Sequence, residues 1–181
     1  MEITRKNTFR ILGLLTAFFI SHSALGTPLI KPFLGSYKGS TVVEENGVEL
    51  DRDLDVKISE TDEGFNVFWK STTVKADGRI KTKDFDISFT PTDREHVFQA
   101  AQRPSLFGGT KPLDPMKGEP YVWARIVGDT LTIFALLILD NGGYELQIYN
   151  RSLSDSGLSL EYSRIRDGEQ LRTIKSTLTR E

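Results

Sequence analysis

From Phe33 to Arg180 the chain alternates apolar and polar residues in short runs, and each run stops at a small turn signal. A period of two sends successive side chains to opposite faces of a strand. The stops include Asn46-Gly47, Asp62-Glu63-Gly64, Asp77-Gly78, Gly128-Asp129, Asn141-Gly142-Gly143, Ser156-Gly157 and Asp167-Gly168. Each supplies a residue that tolerates positive φ between two strand-like runs. The pattern predicts ten strands, at 33–44, 48–60, 65–75, 79–90, 96–102, 120–127, 130–139, 144–153, 158–166 and 171–180. Eight of the nine connections are short, so sequential strands should pair antiparallel. The expected fold is all-β, an antiparallel up-and-down β-barrel of about ten strands that hides its edges by closure. A two-sheet β-sandwich is the alternative.

The alternation sorts faces unevenly. In 48–58 one face reads Val48, Leu50, Arg52, Leu54, Val56, Ile58 and the other is almost wholly acidic, so Arg52 is expected inside an apolar stripe. In 158–166 the apolar face Leu158, Leu160, Tyr162 runs on to Arg164. In 121–127 the face Tyr121, Trp123, Arg125 is expected to look inward. In 144–151 the choice between Leu146, Ile148 and Glu145, Gln147, Tyr149, Arg151 stays open. Strand 130–139 is apolar on both faces, which suits burial on both sides or a partner surface. Charge on a buried face is costly unless paired. Arg52, Arg125, Arg151 and Arg164 therefore mark either a polar interior or barrel-mouth positions with partners such as Glu145.

Residues 103–119 break the rhythm, with three prolines and three glycines beside apolar Leu106, Phe107, Leu113 and Met116. A long apolar loop of this kind reads as a lid over a barrel mouth or as a plug at one end.

The first 26 residues change the picture from a fold to an address. Arg5, Lys6 and Arg10 precede the apolar run Ile11–Ile20, and Ala24-Leu25-Gly26 supplies small residues for cleavage. This is the build of a secretory signal peptide, and the run is shorter than the roughly 20 residues a membrane span requires. Cleavage after Gly26 would leave a single barrel domain, 27–181, in the periplasm or outside the cell, without a transmembrane span. That segment has 20 basic and 24 acidic residues, a formal charge of −4, and no cysteine. Mild acidity argues against nucleic acid as a partner. The absence of disulfides leaves the fold dependent on its core.

Candidate chemistry is sparse. His96 is the one histidine after residue 26, so ordinary zinc sites, a thiol nucleophile and a G-x-S-x-G elbow have no residues to use. The acids Glu44-Glu45, Asp84 and Asp86 are expected on turns or outward faces, and no cofactor or metal is expected.

Phe33-Leu34-Gly35-Ser36-Tyr37 is similar to the Gly-x-Trp opening of the first lipocalin strand, with Tyr37 in the Trp position. With the strand pattern over about Phe33 to Arg180, the chain resembles the calycins, the lipocalin and fatty-acid-binding-protein superfamily. The resemblance implies that a late arginine, Arg172 or Arg180, covers the barrel bottom. It departs from the superfamily in lacking a C-terminal helix, a helical lid after the first strand and the Arg-x-Tyr clamp of the last strand. Tyr149-Asn150-Arg151 is a reversed echo of that clamp. The expected function is an exported binding protein for a small amphipathic, anionic, lipid-like ligand. Its expected ligand-binding residues are Arg52, Trp69, Tyr121, Trp123, Arg125, Tyr149, Arg151 and Arg164. A filled barrel serving as an envelope interaction module, and a calycin-type isomerase, are the alternatives.

Overall fold

The computed structural model describes residues 27–101, 103–104, 110–111 and 113–181. A short helix, α1 (Thr27–Ile30), and a 3-10 turn, Lys31–Phe33, precede β1 (Gly35–Glu45), β2 (Val48–Thr61), β3 (Gly64–Val74), β4 (Ile80–Pro91) and β5 (Val97–Ala100). In the long connection, β6 (Arg103–Pro104) and β7 (Thr110–Lys111) make a two-stranded ribbon, followed by a 3-10 turn at Pro115–Lys117. Then come β8 (Tyr121–Val127), β9 (Thr130–Ile138), β10 (Tyr144–Ser154), β11 (Gly157–Arg166) and β12 (Glu169–Arg180). Ten strands close antiparallel in the order β1-β12-β11-β10-β9-β8-β5-β4-β3-β2. The barrel is therefore closed, and the sandwich alternative is ruled out. The first strand starts at Gly35 rather than Phe33, because Pro32 sits in the first turn of the 3-10 segment, where its missing N–H is harmless.

The hairpins follow from turn chemistry. Asn46-Gly47 and Asp167-Gly168 both place two consecutive residues at positive φ, as two-residue hairpin loops require. The seam between β1 and β12 pairs at Tyr37↔Arg180 and Lys38↔Thr179. Beyond it, Ser176 Oγ donates to the Ser40 carbonyl (2.9 Å) and Thr41 Oγ1 to the Lys175 carbonyl (3.1 Å). Gly39 permits this approach, since a Cβ there would collide with the Thr177 carbonyl.

Down the barrel the inward side chains change character along nearly every strand. One end is apolar: Phe65 packs against Phe89 (5.2 Å between centroids) and Phe98 (5.0 Å), with Ile58, Leu158 and Leu178 buried around them. Ile30 and Phe33 close that end as a buried stopper. The Tyr37 hydroxyl donates to the Phe33 carbonyl (2.8 Å). Arg180 donates to the carbonyls of Leu34 (2.7 Å) and Pro32 (2.8 Å), with its guanidinium carbon 5.1 Å from the Tyr37 ring centre. Arg180 thus covers the bottom, whereas Arg172 lies at the other end, against the Glu44 carbonyl (2.8 Å). At that other end the inward positions are Glu45, Arg52, Thr73, Lys81, Gln147, Arg164 and Arg172.

Candidate functional site

The polar end of the barrel encloses a cavity of about 290 Å³. Its lining carries seven lysines and arginines against two acids, Glu45 and Asp55. An acidic chain therefore holds a basic hollow.

Aromatic rings form the wall beneath the basic rim. Trp69 stacks on Phe85 (4.9 Å), packs against Tyr149 (5.3 Å), and Tyr149 meets Tyr162 (4.8 Å). The register explains the grouping: Trp69 pairs with Phe85 across β3 and β4, and Tyr149 with Tyr162 across β10 and β11. Cross-strand partners on one face have Cβ atoms about 5 Å apart, close enough for ring contact.

Arg151 lies among these rings. It is 1% exposed, and its guanidinium carbon lies 5.2 Å from the Trp69 ring centre and 5.6 Å from that of Tyr149. Its Nε and Nη1 have no hydrogen-bond partner among the described residues. Burial pushes its pKa down to about 10, with the neighbouring Tyr149 pulling the other way, so the side chain stays charged at neutral pH. Ring faces compensate a cation by about 2 kcal/mol when desolvated. The desolvation of a buried charge costs several kcal/mol, so the rings alone leave a deficit.

Tyr149 is held from the other side by a chain of polar groups. Its hydroxyl donates to Gln147 Oε1 (2.9 Å), and Gln147 Nε2 donates to Glu145 Oε1 (2.9 Å). Glu145 Oε2 accepts from Arg164 Nη2 (2.7 Å) and Arg166 Nη2 (2.8 Å). The Arg164 hydrogen bond, supported by those of Arg166 and Gln147, lowers the Glu145 pKa to about 2 despite its burial. The Tyr149 phenol is pushed well up by its own burial.

Arg52 faces the interior as its strand pattern predicts, and it has a protein partner. Its Nε donates to Thr73 Oγ1 (2.7 Å) and its Nη2 to Glu45 Oε1 (3.3 Å), while Lys75 holds the second Glu45 oxygen. Glu45 is thus a cavity residue, not the outward or turn acid expected from sequence.

Of the eight expected binding residues, the cavity brings together Arg52, Trp69, Tyr149, Arg151 and Arg164. Tyr121, Trp123 and Arg125 do not line it. On β8 the inward residues are Val122, Ala124 and Ile126, all buried, while Tyr121 and Arg125 are exposed. Trp123 stacks on outward-facing Phe134 (4.8 Å) and neighbours Tyr121 (5.7 Å). On the outer face of β9, Phe134 is thus covered by the Trp123 ring of the neighbouring strand. Among the expected lid residues, Leu106 and Phe107 lie outside the described residues. Leu113 is half-buried and Met116 is 81% exposed, and neither lines the cavity. The expected signal peptide, residues 1–26, also lies outside the described residues.

A scan against protein-family models, a search of curated proteins and a search of solved structures each found no match to the chain. Function has to be read from the geometry. Lys81, Lys83, Phe85, Gln147, Tyr162 and Arg172 also line the cavity, though the sequence pattern did not single them out as binding residues. The signal was available for Tyr162 and Arg172, which share inward faces with Leu160 and Leu178. Among the described residues no group of three or more His, Asp or Glu could hold a metal ion, and no helix is long and apolar enough to cross a membrane.

Proposed function

We propose that the protein is an exported binding protein for a small amphipathic anion, held with its charged group against Arg151 and its apolar part along Trp69, Phe85, Tyr149 and Tyr162. The observation that carries this reading is the Arg151 guanidinium, fully buried beside a cavity with Nε and Nη1 unpaired among the described residues. Buried charges are ordinarily paired, and a carboxylate or comparable anion supplies both the charge and the acceptors that this one lacks. A few placed polar groups in a mainly aromatic hollow is the usual build of a small-ligand site. Export rests on the basic start and apolar run of residues 1–26. A calycin-like identity is supported by the closed barrel and by Arg180 lying over Tyr37 at the sealed end.

Native mass spectrometry of the mature protein, purified from its own host without detergent, tests the reading. The expected result is a bound small molecule that is released on denaturation and runs as an anion. An empty barrel that also fails to bind medium-chain carboxylates would overturn it. The second reading, an envelope interaction module, draws on the outward cluster of Tyr121, Trp123 and Phe134. It predicts co-purification with a protein partner that Trp123→Ala weakens.

A further inference from the structure

Two carboxylates at the polar end, Glu45 of the cavity lining and the buried Glu145 beside it, are each shared by two cations. Glu45 serves Arg52 and Lys75, and Glu145 serves Arg164 and Arg166. Arg172 has no carboxylate partner among the described residues; its Nη2 donates to the Glu44 carbonyl. Arg164 and Arg172 stand directly opposite each other across β11 and β12. Like charges in directly opposed positions are destabilising, and such a pair persists only where something else holds it. The Nε of Arg164 is buried and has no partner among the described residues. Arg52, on the far side of the β1–β12 seam, faces the same space: its charge, with those of Arg164 and Arg172, bears on the Tyr162 hydroxyl.

This cluster is well separated from Arg151. Arg151 pairs with Leu160, and Arg164 lies four residues further along β11, a backbone separation of about 13 Å. The wall between the two levels is Leu160, Tyr162 and Tyr149.

We propose that Arg52, Arg164 and Arg172 form a second anion site at the cavity mouth, around the Tyr162 hydroxyl, so that the ligand carries an anionic group at each end of an apolar middle. The inference rests on the reading of Arg151 as the inner anion site. A monoanionic amphiphile would leave the rim cations unmatched. A dicarboxylate, or a carboxylate joined to a phosphate or sulfate ester, would fill both sites.

Calorimetric titration at low salt decides it, using decanoate and decanedioate as matched probes on the delipidated mature protein and on Arg172→Met and Arg151→Met. Arg172 is exposed enough at the rim that its replacement should leave the fold intact, which a melt would check. The wild type should bind decanedioate roughly tenfold more tightly than decanoate, the scale of one charge-assisted contact. Arg172→Met should erase that preference by weakening decanedioate far more than decanoate, and Arg151→Met should weaken both probes. Raising the salt should shrink the preference, since the rim is partly exposed. Equal affinity of the wild type for the two probes would overturn the second site and leave the inner one standing. Failure of the wild type to bind either probe, or any other chain length from hexanoate to tetradecanoate and the matching diacids, would overturn the inner site and this one together.

Discussion

Two arginines, one fully buried and one exposed, sit at different levels of the same barrel, and they are treated in opposite ways. At the sealed end Arg180 gives its guanidinium to the Leu34 and Pro32 carbonyls and lies over Tyr37. Everything inward of it is apolar, from Phe33 to Phe65, Phe89 and Leu178. At the inner end of the cavity Arg151 is fully buried, yet its Nε and Nη1 have no partner among the described residues. A satisfied cation at a dry, filled end is a structural device. An unsatisfied one beside a hollow costs stability that the chain recovers only when something binds. The barrel is accordingly half core and half vessel.

That contrast can be broken at several points. The largest effect is expected at the sealed end, where Phe89→Ala opens a void between Phe65 and its neighbours. It should destabilise the barrel by about 3–5 kcal/mol in a urea melt. The same truncation should leave the affinity for a bound carboxylate nearly unchanged, because Phe89 does not line the cavity. An equal loss of affinity would show that the two ends are not separable.

Glu145 comes next. Its pKa is lowered from an ordinary value of 4.5 to about 2, so the stability it contributes is fully present above pH 4.5 and is lost as pH falls through about 2. The size is on the order of 3 kcal/mol. Acid unfolding of Glu145→Gln should be flatter over that window, and the variant should melt lower at neutral pH, having stranded Arg164 and Arg166. An unaltered acid limb would remove Glu145 from the network.

Arg180→Met should be smaller, roughly 1–2 kcal/mol of destabilisation, because two bonds to carbonyls are lost but the site is exposed. It should not alter ligand affinity. A collapse of binding in this variant would mean that the stopper formed by Ile30 and Phe33 sets the shape of the cavity.

How much of this was legible in the chain depended on how cleanly each strand separated its faces. β2 separated them well: Glu49, Asp51, Asp53 and Lys57 belong in water, so Arg52 had to look inward. β8 misled, because its larger residues, Tyr121 and Trp123, pack outside against Phe134, while the inner wall takes the small Ala124. Size does not reveal a face when both faces are packed. On β10 the buried face is the charged one, with Glu145 and Arg151, and apolar Leu146 and Ile148 look outward. No single-strand pattern can favour that choice. It is fixed by the neighbours, since Arg166 opposite Glu145, and Arg164 beside it, supply the compensating charge. The stopper of residues 27–33 was hidden for a different reason: only Phe33 was read as strand, and its burial with Ile30 depends on the turn that holds Pro32.

Arg151→Met gives the most direct measurement, with thermal melting and carboxylate titration performed on the same preparation. A side chain of similar volume removes the buried charge and leaves no stranded acid, because no acid among the described residues pairs with Arg151. The delipidated variant should melt higher than the wild type, by the equivalent of about 1–4 kcal/mol, and should lose carboxylate binding. A variant that melts lower and binds carboxylates as well as the wild type would contradict the account and make Arg151 a structural residue after all.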